Sequence, residues 1–255
     1  MMKDENRVSP KIFFCGDNHG NFEHLIEAVN EHAPDALVLL GDIQAQRPLE
    51  QELATILDKT EIWFIHGNHD TDSEADYDHL FGSKLADRNL NARVVQVAGV
   101  RVAGLGGIFR SQVWRPPEPQ NYKSIQEFTQ KAGRGNRWRD GPPLRHRSTI
   151  FPDVFNMLAA LSADVLVTHE APSVHPHGFA VLDELSRKMK VTTTFHGHHH
   201  DRLDYSKDWE RLGHKSYGVG FCGITALDGT VVRVGDFDGL RKTRGGDYGL
   251  PPGEI

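Results

Sequence analysis

The chain has 255 residues and a formal charge of −6, with 38% apolar residues, 25% charged residues, 25 Gly and 13 Pro. That length and balance favour one large globular domain and exclude collagen-like and wholly disordered chains, and the net acidity excludes a uniformly basic nucleic-acid coat. The unusual number is His, at 15.

Even the apolar run 36–40 is only five residues, against the ~20 a bilayer requires. The polar opening Met-Met-Lys-Asp-Glu-Asn-Arg lacks the apolar core of an export signal, so no membrane segment and a cytoplasmic setting are expected. Cys15 and Cys222 could form one bridge at most; both are read as buried strand cysteines in a reducing compartment.

In chain order, residues 11–15 form a short apolar run that stops at Gly16, and 21–32 follow with Phe22, Leu25, Ile26 and Val29 on one helical face. Pro34 ends that helix. A second unit repeats the plan: 36–40 reads as a buried strand, Gly41 punctuates, and 48–58 reads as a helix with Pro48 at its start. Residues 62–65 are a third strand. Strands alternating with helices imply parallel pairing with helices outside. Beyond Asp70 the rhythm changes. Residues 93–98 and 100–104 flank Gly99 as an antiparallel pair, 151–161 and 179–189 read as helices, and 164–168 and 191–195 as strands. Residues 218–227 and 231–234, joined by Asp228-Gly229, close the chain as a hairpin. One domain over 1–240 and a flexible tail over 241–255 are expected.

The segment 110–147 differs in composition. It holds nine Lys and Arg against three acids, together with Trp114, Tyr122, Phe128 and Trp138, and 121–131 has the character of a short helix. Such an insertion suits a phosphate-bearing substrate, including nucleic acid, because guanidinium groups fit phosphate and aromatic rings stack on bases. It equally suits a solvated loop. Arg110, which follows an expected strand end, and Arg147, which leaves the insertion beside His146, are the candidate substrate contacts.

The chemistry-bearing residues gather where strands run out. Asp17 and His19 follow the first strand, Gly41-Asp42 the second, Gly67-Asn68-His69-Asp70 the third, His169 the strand 164–168, and Gly197-His198-His199-His200 the strand 191–195. Any one strand-end Asp or His is an ordinary turn former. Parallel strands, however, deliver their C-terminal ends to one edge of a sheet, where open α/β sheets place their sites. Five such clusters together point to a shared metal centre.

The order D-x-H, G-D, G-N-H-[DE], H, G-H-x-H resembles the signature of the calcineurin-like metallophosphoesterase superfamily, and the match spans Asp17 to His200. That resemblance implies an α/β fold, a four-layer α/β/β/α sandwich of two mixed sheets, with a dinuclear metal site at the C-terminal strand ends. By motif position, Asp17, His19, Asp42 and His200 would hold one metal, and Asp42, Asn68, His169 and His198 the other, with Asp42 bridging. His69 would give a hydrogen bond or proton to the leaving oxygen, with Asp70 fixing its ring. Mixed nitrogen and oxygen ligands suit two divalent ions drawn from Mn, Fe, Zn, Co or Ni. The expected activity is hydrolysis of a phosphate ester by hydroxide held between two metals, as a phosphatase or phosphodiesterase.

The second motif departs from the G-D-x-x-D-R of many phosphatases. Here it runs Gly41-Asp42-Ile43-Gln44-Ala45-Gln46-Arg47, so Ala45 and Gln46 replace the second Asp and the Arg. This stretch and the one from Gly99 to Ser111 are similar to the RNA lariat-debranching branch, although Asp17 stands where many of those enzymes have Cys. Two alternatives follow: an RNA phosphodiesterase using 110–147, and a non-catalytic scaffold on the same fold. Gly104-Leu105-Gly106-Gly107 only superficially resembles a dinucleotide turn, and neither a P-loop nor a G-x-S-x-G elbow is present.

Overall fold

The structure, a computed structural model, describes residues 10–239; the expected tail over 241–255 lies outside them. In chain order its strands are β1 (Ile12–Cys15), β2 (Ala36–Leu39), β3 (Glu61–Phe64), β4 (Arg93–Val97), β5 (Val100–Leu105), β6 (Val165–Thr168), β7 (Thr193–His196), β8 (Lys215–Gly218), β9 (Ile224–Ala226) and β10 (Val231–Arg233). The helices are α1 (Glu23–His32), α2 (Leu49–Glu52), α3 (Glu74–Phe81), α4 (Ile125–Lys131), α5 (Pro152–Ala159), α6 (Ala180–Met189) and α7 (Trp209–Leu212).

Two five-stranded sheets result, ordered β10-β9-β1-β2-β3 and β4-β5-β6-β7-β8. Strands β1, β2 and β3 pair in parallel, as do β5, β6, β7 and β8. Antiparallel pairs close the far edges at β9–β10 and β4–β5. Every residue of β1, β2 and β6 is buried, because each strand is covered on both faces and its alternate side chains serve two different cores.

That alternation builds the four layers. Phe13, Cys15, Leu37 and Leu39 face α1 and α2, packing on Leu25, Val29 and Leu49. Ile12, Phe14, Ala36 and Val38 face the second sheet and meet Val165, Val167 and Phe195. Phe14 and Phe195 stack face to face across the two sheets with centroids 3.7 Å apart. On the outer side, Leu105 and Leu166 pack against Phe155, Leu182 and Leu185 of α5 and α6. The α/β/β/α sandwich of two mixed sheets is therefore present.

The differences from the sequence reading are local. The helix expected over 48–58 is one turn, α2, followed by turns in which Leu53, Ile56 and Lys59 succeed one another by three-residue hydrogen bonds. The expected strand 218–227 divides into the end of β8 and β9, which lie in different sheets. Helices α3 and α7 were not expected. Among the described residues no helix is long and apolar enough to cross a membrane.

The segment 110–147 carries α4 and docks by burying Trp114 and Phe128 in the second outer core. Several of its cations are engaged at the surface. Arg139 pairs with Asp78 and Glu74 of α3, Lys131 pairs with Glu127, and the Arg137 Nε donates to the Thr129 carbonyl.

Candidate metal centre

The loops that leave β1, β2, β3, β6 and β7 converge at one edge of the sandwich, and backbone hydrogen bonds hold them there. His19 N donates to the Asp42 carbonyl (2.9 Å), His69 N to Asp42 Oδ1 (2.8 Å), and His198 N to both Asp17 oxygens (2.9 and 3.0 Å). The backbone here is strained. Asp17, His19, Asp42, Gln44, His198 and His200 all have positive φ, a conformation costing non-glycine residues of order 1–2 kcal/mol each. Gly41 and Gly67 provide the close approach: a Cβ on Gly41 would stand 2.5 Å from His169 Nδ1, and one on Gly67 would run into Asp42 Oδ1.

Two groups of side chains meet. Asp17, His19, Asp42 and His200 offer ligand atoms that all lie within 4.8 Å of one another, and so do Asp42, His169 and His198. Asp42 belongs to both. Asn68 joins the second group, its Oδ1 standing 3.3 Å from His169 Nε2. All seven residues proposed as ligands from the sequence are thus assembled at this edge. Sequence reasoning missed a further group formed by Glu170, His198 and His199.

Outer contacts fix how the imidazoles point. The His169 ring lies with Nδ1 2.8 Å from the Leu40 carbonyl, so Nδ1–H donates there and Nε2 is turned toward Asp42 Oδ2 at 3.2 Å and Asn68 Oδ1. The His19 Nδ1 likewise donates to Gln44 Oε1 (2.6 Å), leaving Nε2 aimed at His200 Nε2 (3.1 Å) and Asp42 Oδ2 (3.9 Å). The inner nitrogens of both rings are thus aimed at Asp42 Oδ2, the carboxylate oxygen that a bound cation would share with them.

The electrostatics make the same demand. Asp17, Asp42 and Asp70 are buried, and none of them forms a salt bridge with Lys or Arg among the described residues. Burial pushes Asp17 up to about 7, with Asp42 adding to the rise against His169. Burial also opposes ionised Asp42, yet His169, His69 and His198 hold it well below the usual carboxylate range. Burial would lower His169, but Asp42, Asp17 and the Leu40 carbonyl raise it to about 10. Burial pushes His198 down to about 3 and His200 to about 4, which keeps both in the neutral form that binds metal. The Asp42 Oδ2 and His200 Nδ1 are buried without a hydrogen-bond partner. Inward-turned imidazoles, orphaned buried atoms and three carboxylates buried without a Lys or Arg partner together fit divalent cations.

Near this centre the motif-three loop makes one turn of 3-10 helix over His69–Thr71. Asp70 does not hold the His69 ring as expected. Its carboxylate accepts from the backbone N–H groups of Ile43, Gln44 and Gly67, each at 2.8 Å, and so ties the second motif to the third. The carboxylate on His69 Nδ1 is Asp72, at 2.5 Å. Burial lowers the His69 pKa, but Asp42 and Asp72 outweigh it and the net shift is upward.

The two candidate arginines separate. Arg110 is half-buried; its Nη2 donates to Ser148 Oγ (3.4 Å), which is hydrogen-bonded in turn to Thr71 Oγ1 of the motif-three loop (2.7 Å). Arg147 is engaged between the insertion and α3, packed 5.9 Å from the Tyr77 ring and 5.5 Å from Trp138, with Nη2 donating to the Trp138 carbonyl. The Arg47 Nε pairs with Glu52 at 3.0 Å.

Comparison with known proteins places these observations in a wider group. Residues 10–202 match the family model described as calcineurin-like phosphoesterase. An uncharacterized protein of Haemophilus influenzae is 41% identical over 221 residues, spanning 87% of this chain and 96% of its own. The solved structure of TT1561 from Thermus thermophilus is similar in fold at a TM-score of 0.54 and 13% identity, covering 89% of this chain and 99% of that one.

Proposed function

Because the chain belongs to the calcineurin-like phosphoesterase family, a metal-dependent group of hydrolases acting on phosphate esters, we propose that it hydrolyses its ester at a centre of two divalent ions. Asp17, His19, Asp42 and His200 would hold one ion, and Asp42, Asn68, His169 and His198 the other. The observation that carries this reading is the membership of Asp42 in both ligand groups. Four imidazoles, two carboxylates and one amide suit Mn, Fe, Zn, Co or Ni better than Mg or Ca. Such a pair supplies, when bound, an activated water and neutralisation of the phosphate charge.

The chain's own groups have separate tasks. Asp70 and the backbone of Asp42 set the spacing of the loops that carry the ligands. His69 is the proton donor to the leaving oxygen, with Nδ1 held by Asp72 so that Nε2 is the free end. Arg110 is the cation proposed to contact the substrate, since Arg47 is already paired with Glu52.

Within this class, an RNA diester of the lariat-debranching type draws on the resemblance of Gly41–Arg47 and of Gly99–Ser111 and on the basic insertion. Gln44 has another use in that motif, orienting His19. Trp114 and Phe128 are core residues and cannot stack on a base. Tyr122 and Trp138 are left, with Lys131 and Arg139 already lying over their rings.

The test is a screen of chromogenic phosphate monoesters and diesters with Mn2+, Zn2+ and Fe2+. Turnover that collapses in His69→Asn while bound metal persists supports the reading. Absence of turnover with every metal contradicts it and favours a non-catalytic scaffold.

A further inference from the structure

The turn from Arg110 to Trp114, closed by hydrogen bonds from Val113 N and Trp114 N to the Arg110 carbonyl, carries side chains in two directions. Arg110 reaches Ser148 and, through it, the motif-three loop. Gln112 reaches His146, its Oε1 3.0 Å from His146 Nε2, and lines a cavity of about 400 Å3 with Tyr122, Phe128, Lys131, Arg145 and His146. The cavity is within the size range of small-molecule sites.

The charges along this path are unbalanced. Lys131 is neutralised by Glu127 at 2.9 Å. Arg145 is exposed and lines the cavity, and neither it nor Arg110 is in a salt bridge among the described residues. Arg110 also has a buried Nε without a hydrogen-bond partner. Burial, and then the positive charge of Arg145, lower the Arg110 pKa, while Asp72, Glu170 and Asp42 oppose them. The Ser148 Oγ that accepts from Arg110 Nη2 donates in turn to the Arg145 carbonyl (3.2 Å), so the two arginines meet at one serine. With neither guanidinium in a salt bridge, an anion held by both would gain a charge-assisted contact from each and offset the repulsion between them.

We propose that Arg110 and Arg145 form a subsite for a second phosphate of the substrate, beyond the phosphate that is cleaved, with the rest of the ester entering the cavity lined by Gln112, Tyr122 and His146. This rests on the phosphoesterase reading and deepens it. The substrate class is an ester carrying at least two phosphates, either spaced by a sugar or joined directly. The bland alternative is that Arg145 is a solvated surface cation, which predicts no preference for a second phosphate.

The test measures binding to Mn2+-loaded protein by calorimetry. The probes are thymidine 3′,5′-bisphosphate, both thymidine monophosphates, inorganic pyrophosphate and inorganic phosphate. The wild type is expected to bind one two-phosphate probe about tenfold more tightly than its one-phosphate counterpart, as a charge-assisted contact implies. Arg145→Gln is expected to bring that ratio near one, and added salt to shrink it in the wild type. A gain confined to the bisphosphate identifies sugar-spaced phosphates, and one confined to pyrophosphate identifies directly joined ones; either supports the subsite. A ratio of one in the wild type, or a ratio unchanged in Arg145→Gln, overturns it. Chromogenic monoester turnover, measured separately, reports on the phosphoesterase reading alone.

Discussion

His69 Nδ1 lies 2.5 Å from Asp72 Oδ2, three residues further along the chain, while the nearer carboxylate Asp70 turns inward to backbone N–H groups. A 3-10 turn repeats every three residues, so positions 69 and 72 fall on one side and 70 on another. The two acids should then fail in different ways. Asp72→Asn is expected to lower turnover by roughly 10- to 100-fold, in the range typical for loss of a carboxylate that orients a catalytic histidine, with bound metal unchanged. Asp70→Ala leaves three backbone N–H groups unpaired, two of them buried, and should cost about 3–5 kcal/mol of stability, together with metal. Kinetics beside metal analysis and thermal melts separate the two; equal effects would contradict the assignment.

Gln44 should prove to be a metal-affinity residue. Its Oε1 fixes the His19 ring through Nδ1, so Gln44→Ala is expected to weaken metal binding by about 10- to 100-fold, the usual range for such outer partners. A competitive chelator titration reads this directly. Unchanged affinity would show that His19 needs no such support.

Gly67→Ala tests the close approach of the loops. Its new methyl group would collide with Asp42 Oδ1 and stand 2.6 Å from His169 Cε1, so bound metal should be lost while far-UV circular dichroism stays native. Retention of full metal content would mean that the loops are looser than described.

Trp114 belongs to the core. It is 6% exposed and packs edge-on to Phe109 and Phe155 with centroids 5.0 and 5.3 Å away. Trp114→Ala should destabilise the protein by about 3–5 kcal/mol, as large-to-small core changes do. Denaturant titration checks this, and a loss under about 1 kcal/mol would restore Trp114 as a candidate surface for substrate.

These cases mark where sequence was informative. Strands β1, β2, β3, β6 and β7 were legible because burial writes most of their positions as apolar or β-branched residues, and because each is followed within two residues by a Gly or His that begins a loop. Strand β8 was not, since Lys-Ser-Tyr-Gly carries no apolar run; Ser216 is buried there by a hydroxyl pair with Thr194 at 2.9 Å, a partner twenty-two residues away. Helix α3 had a usable signal, the capping box of Ser73 and Asp76, whose side chains each accept from the other's backbone N–H. The ligand candidates were visible because their types and strand-end positions repeat. Asp72, Gln44 and Arg145 were not, since each acquires its task from a neighbour brought close only by folding.

Metal content of the purified chain, by mass spectrometry after saturation and removal of free ions, tests the dinuclear centre most directly. The account predicts two ions per chain in the wild type, and loss of both in Asp42→Ala while the fold persists. One ion or none in the wild type, or two retained in Asp42→Ala, would contradict it.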